Sequence, residues 1–98
     1  MQFIVTGYDG TDEAALERRL AARDEHIKLM DYMKKEKKFL YAAAILDDNE
    51  KMIGSILIVD FPTREELDEW LKIEPYVKGD VWKEIEVKSC KVPPLFLS

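Results

Sequence analysis

Three side chains in the run Leu16-Glu17-Arg18-Arg19-Leu20-Ala21-Ala22-Arg23-Asp24-Glu25-His26 have the types and spacing that chemistry needs. In a helix, steps of four and three residues set Arg19, Arg23 and His26 along one edge. His26 is the only histidine in the chain, and histidine is the side chain that titrates near neutral pH. Beside two fixed guanidinium charges it makes a candidate anion site with a proton-transfer group in it. The alternative is a solvated helix edge, with Arg19 and Arg23 paired to Asp12, Glu17 or Asp24 on the surface, where such pairs contribute little.

The elements that must position this edge follow from periodicity. Gln2 to Thr6 predicts a strand, ended by the turn signal Gly7-Tyr8-Asp9-Gly10. A long helix is expected from about Asp12, with Thr11 or Asp12 as N-cap. Its apolar stripe reads Leu16, Leu20, Ile27 and Met30, continuing near Met33, and suits packing on a sheet. The basic run Lys34-Lys35-Glu36-Lys37-Lys38 falls where the helix dipole favours cations and reads as a solvated C-terminus. Phe39 to Leu46 and Met52 to Phe61 predict a hairpin around Asp47-Asp48-Asn49-Glu50. Thr63, with Glu66 completing a capping box, opens a second helix through Leu71, limited by Pro75. Trp82 to Lys91 predicts the last strand, and the tail over 92–98 is too proline-rich to continue a ladder.

The order βαββαβ is the ferredoxin-like split arrangement: one α+β domain over 1–98, with a four-stranded antiparallel sheet ordered 4-1-3-2 and both helices on one face. Phe3-Ile4-Val5 and Ile56-Leu57-Ile58-Val59 are apolar on both alternating faces, so both faces need cover. Two helices cover one face. The other is expected to meet a second copy in a homodimer, with Leu95-Phe96-Leu97 crossing onto the partner. The same topology brings the end of strand one, the start of strand three and the end of the second helix to one level. Tyr8, Arg19, Arg23, His26, Ser55, Glu74 and Tyr76 are therefore expected on one rim, as a small-molecule site requires. Tyr8 and Tyr76 also suit amphipathic rim packing.

A net charge of −5 argues against non-specific binding to nucleic acid or anionic membrane. Phe3-Ile4-Val5 lacks a basic leader and is too short for a signal peptide or a membrane span. Cys90 is the single cysteine. No disulfide can form within the chain, and a reducing cytoplasm is the expected location. One Cys and one His do not make a structural zinc site.

The pattern Leu16-Glu17-Arg18-Arg19-Leu20, then Arg23, His26-Ile27, Gly54-Ser55, Glu74-Pro75-Tyr76-Val77 and Val81-Trp82 resembles the YciI (YCII-related) family of small bacterial proteins. The resemblance spans nearly the whole chain. It implies the dimeric α+β barrel type of the ferredoxin-like fold and an active site built on a histidine–aspartate pair. The histidine maps onto His26, the preceding arginines onto Arg19 and Arg23, and the Gly-Ser of strand three onto Gly54-Ser55. Some relatives act as dehydrochlorinases or resemble lactone isomerases. Two positions depart from the family pattern. The acid is Glu74 where the family has aspartate, which moves the carboxylate by about one C–C bond length. Ala43-Ala44 stands where the family often carries Gly-Pro.

A carboxylate against one imidazole nitrogen fixes the tautomer and leaves the other nitrogen as a base. Arg19 or Arg23 can hold a carboxylate or enolate oxygen, and Ser55 can donate one hydrogen bond. No Gly-x-Ser-x-Gly elbow surrounds Ser55, so it does not read as a nucleophile. The chemistry expected is cofactor-independent proton abstraction next to a carbonyl in a small anionic or carbonyl compound, as in a lyase or isomerase. The alternative is the same rim used to bind or sense a small ligand, or a dimeric interaction module, without catalysis.

Overall fold

In the computed structural model, which describes residues 1–97, the elements run β1 (Gln2–Asp9), α1 (Ala15–Lys35), β2 (Phe39–Leu46), β3 (Met52–Asp60), α2 (Arg64–Ile73), α3 (Pro75–Lys78) and β4 (Trp82–Cys90). Ser98, the last residue of the expected tail, lies outside the described residues. The sheet is antiparallel in the order β2-β3-β1-β4, the expected order read from the other edge.

The two-residue period of a strand divides each one between faces. Phe3, Val5, Gly7 and Asp9 of β1 lie across from β3 and β4 on the helix side, with Ser55, Leu57 and Val59 beside them. Phe3, Val5, Leu57 and Val59 form one buried cluster with Met33, Leu67, Trp70 and Tyr76 of the helices. Ile4, Thr6, Tyr8, Ile56 and Ile58 share the opposite, uncovered face.

Gly7 is a point of close approach. A Cβ there would stand 2.4 Å from the Trp82 indole, which lies across the strand at this position. Gly7→Ala is therefore expected to destabilise the fold by about 1–3 kcal/mol, read as a lower urea midpoint, because the ring has to leave its seat.

The long helix departs from expectation in where it starts and in which face it buries. It begins at Ala15 rather than Asp12, and both Asp12 carboxylate oxygens accept from the Arg18 guanidinium at 2.7 Å. Its inward residues are Ala15, Arg19, Ala22, His26, Leu29 and Met33, a run of three- and four-residue steps. Leu20 and Ile27 of the predicted apolar stripe are instead 52% and 42% exposed. The polar edge is the one that turns inward, because each of its buried members meets a buried partner there.

Thr63 caps α2 as predicted, its Oγ1 accepting from the Glu66 amide at 3.1 Å. The helix runs two residues beyond Leu71, and Glu74 then takes an extended conformation, as the residue before a proline favours. Pro75 opens α3 rather than only closing α2. After Cys90 the chain leaves the ladder. The Val92 amide donates to Gln2 Oε1 at 2.6 Å, and Tyr41 Oη donates to the Phe96 carbonyl at 2.9 Å. Since β4 and β2 are opposite edges, the tail crosses its own sheet on the side away from the helices. No helix among the described residues is long and apolar enough to cross a membrane.

Candidate functional site

The helix edge that turns inward carries His26 to the end of α2, where Glu74 waits 48 residues further along the chain. His26 Nδ1 hydrogen-bonds Glu74 Oε1, and Glu74 is wholly buried. The same oxygen accepts the Tyr76 amide at 3.1 Å, so one carboxylate oxygen caps α3 and holds the imidazole. With an ionised carboxylate as partner, Nδ1 carries the proton and donates, and Nε2 keeps its lone pair. Nε2 has no protein hydrogen-bond partner among the described residues. The Tyr76 ring stacks on the imidazole with centroids 3.8 Å apart and planes 13° apart, and Trp82 meets it edge-on at 6.1 Å. The imidazole is held on three sides. The longer Glu74 side chain reaches the histidine without the family aspartate.

Two helical turns back, the Arg19 guanidinium is also held by its partners. Nη1 donates to both Asp9 oxygens at 3.1 Å, Nη2 donates to Ser55 Oγ at 2.8 Å, and the group lies 4.8 Å above the Tyr76 ring centroid. Burial pushes the Asp9 carboxyl above the usual aspartate range, against the pull of Arg19 in the opposite direction. Burial likewise raises the Tyr76 phenol, so it stays neutral. Ser55 Oγ accepts from Arg19 and, at 3.4 Å, from Trp82 Nε1. A hydroxyl has two acceptor positions and one proton. With both positions engaged, the Ser55 proton is left to donate, which suits a stabiliser of negative oxygen and not a nucleophile.

Arg19, Arg23, His26, Ser55 and Tyr76 all line one cleft of about 140 Å³ between α1 and the β2–β3 edge. Ala42 and Ala44, paired with Leu57 and Ser55, present methyl groups on that side of β2, and Ile27 and Met30 complete the apolar wall. A wider groove of about 660 Å³ runs between α1 and the α2–α3 turn, but its rim holds Glu25, Lys28 and Lys78 and none of the groups above. Among the described residues, no three His, Cys, Asp or Glu side chains converge as metal ligands do.

Six of the seven residues expected on the rim are thus brought together. Tyr8 is not. Its neighbours Gly7 and Asp9 point to the helices, so Tyr8 points to the other face, where it is exposed and lines a separate surface depression. Asp9, and not Tyr8, is the residue of this strand end that reaches the site, where it pairs with Arg19. The turn signal at 7–10 hid it, because β1 continues through Asp9 before the chain turns. Extending the alternation of Phe3 and Val5 by two further steps would have found it.

Comparison with known proteins places this geometry among relatives. The model of the YCII-related domain matches residues 1–91. An uncharacterised protein of Haemophilus influenzae is 32% identical, over 78% of this chain and 84% of its own length. Protein YciI of Escherichia coli O6:H1 is 28% identical, over 93% of this chain and 97% of its own. The solved structure of 5-chloro-2-hydroxyhydroquinone dehydrochlorinase (TftG) from Burkholderia phenoliruptrix AC1100, in complex with 2,5-dihydroxybenzoquinone, superposes with a TM-score of 0.81 at 20% identity, covering 97% of this chain and 98% of that one. An antibiotic biosynthesis monooxygenase superposes with a TM-score of 0.53 at 16% identity, covering 94% and 98%. At these identities the structural likeness establishes the fold, the α+β ferredoxin-like arrangement with its four-stranded antiparallel sheet.

Proposed function

We propose that this chain, which belongs to the YCII-related domain family, is a cofactor-independent lyase or isomerase that moves a proton next to a carbonyl in a small compound. The observation that carries the reading is His26, with Nδ1 held by the buried Glu74 carboxylate, Nε2 without a protein hydrogen-bond partner among the described residues, and the ring lining the same cleft as Ser55. Nε2 takes a proton from the carbon beside the carbonyl, and the C–H electron pair moves toward the carbonyl oxygen. Ser55 donates to that oxygen as it becomes negative. The imidazolium then returns the proton to another carbon or protonates a departing group, and Glu74 stabilises the charged ring while it lasts.

The fold neighbour is a dehydrochlorinase of 5-chloro-2-hydroxyhydroquinone, which makes single-ring chlorinated hydroquinones and cyclic ketones the panel to test. The measurements are chloride release and exchange of carbon-bound hydrogen for deuterium. Turnover by the native chain, with loss in His26→Gln, supports the reading. A native chain inert toward the whole panel, or a His26→Gln chain of equal activity, counts against it.

The apolar sheet face away from the helices supports a homodimer: Ile56 and Tyr8 are 38% and 43% exposed there on the two central strands. Sedimentation is expected to give twice the chain mass, and Ile56→Asp is expected to give the monomer by placing a charge in the interface. A native chain that sediments as a monomer at high micromolar concentration excludes this arrangement.

A further inference from the structure

We infer that the cleft selects a single-ring monoanion, with its one negative charge at Arg23 on the mouth and an uncharged carbonyl oxygen against Ser55 inside. The inference rests on the reading of this cleft as the site and names what enters it. The two arginines, which the sequence presents as equivalent, differ in one respect that decides charge preference. Arg19 has its charge matched by Asp9, through two 3.1 Å contacts between side chains that are 4% and 3% exposed. Arg23 lines the cleft, is exposed, and has no ion-pair partner among the described residues.

Inside the cleft the Arg19 guanidinium is matched by the Asp9 carboxylate, which leaves Arg23 at the mouth as the arginine without an ion-pair partner among the described residues. A second negative group on the ligand, seated within, would meet no unmatched cation, because the inner arginine is already paired with Asp9. At the mouth, a single carboxylate or phenolate meets Arg23 with nothing to displace. Size sets the other limit. A cavity of about 150 Å³ holds one benzene ring, and this cleft of about 140 Å³ is of that class. Its methyl wall of Ala42 and Ala44 and the buried aromatic ring of Tyr76 suit a flat, mostly apolar body.

The test uses benzoate, benzamide and isophthalate as probes, titrated against the full chain and followed by the imidazole resonance of its one histidine. Benzoate is expected to bind at least tenfold tighter than its neutral isostere benzamide, and isophthalate no tighter than benzoate. Arg23→Gln, a change at an exposed position that leaves the fold intact, is expected to bring benzoate down to the affinity of benzamide. Asp9→Asn releases the Arg19 charge and is expected to favour isophthalate over benzoate by roughly tenfold relative to the native chain. If that variant does not fold, the Arg23→Gln result decides alone. Unchanged benzoate affinity in Arg23→Gln, a native preference for isophthalate, or no saturable binding of any probe overturns the inference. The proton-transfer reading fails or stands on product formation, so the two are separable.

Discussion

Asp9→Ala is expected to lower folding stability by about 3–5 kcal/mol in urea unfolding, the largest stability effect of any single change in the site. Domains of this kind are stable by roughly 5–15 kcal/mol in total, so the loss is a large share of the whole. The cause is what is left behind: the Arg19 guanidinium stays buried under the Tyr76 ring with Ser55 as its one remaining side-chain acceptor. The carboxylate is itself held at a cost. Burial raises the Asp9 carboxyl above its ordinary value, with Arg19 acting to lower it. A group whose folded-state pKa is raised contributes stability that is fully present below the unfolded value and lost as pH rises through the folded one. The stability linked to this raised carboxyl is therefore lost as pH rises through its folded value, and removal of the side chain is harmful because Arg19 remains. Replacing both, as Asp9→Ala with Arg19→Met, is expected to recover most of the loss. A single Asp9→Ala chain as stable as the native one would show that water reaches Arg19 and pairs it.

His26→Gln is expected to lower kcat by roughly 100- to 10,000-fold, the range a positioned general base contributes, while unfolding stays within about 1 kcal/mol of native. Glutamine keeps a donor that can meet the Glu74 oxygen and fills much of the ring volume, so the loss isolates the lone pair at Nε2. The effect belongs in kcat more than in KM, because the hydrogen bond from Ser55 and the charge of Arg23 remain to hold the ligand. Retention of more than a tenth of the native kcat would mean that the proton goes elsewhere.

The element order was legible because alternation in Phe3-Ile4-Val5 and Ile56-Leu57-Ile58-Val59 and the cap at Thr63 are local signals. The site was legible in its membership and misread in its orientation. Hydropathy assigns the inner face of a helix to its leucines, yet here Leu20 and Ile27 face outward and Arg19 and His26 inward. No local rule foresees that, since burial of a charged edge depends on Asp9, Ser55 and Glu74 arriving from three other elements. Tyr8 failed for a different reason. In a strand an error of one residue reverses the face, and the glycines at 7 and 10 set the expected strand end at Thr6, three residues before Asp9. The family pattern supplied Glu74 as a partner for His26, and the structure adds what the pattern lacks: the amide of Tyr76 on the same carboxylate oxygen.

That shared oxygen joins two events that are separate in most active sites. The turn Pro75–Lys78 stays docked through the bond that also sets the imidazole, and its Tyr76 ring is the surface on which the imidazole rests. If the turn lifts away, His26 loses its tautomer and its stacking partner in the same motion. On the proposed reading, proton transfer at His26 therefore depends on the turn staying docked, and the turn is anchored by Tyr76, itself a member of the buried core.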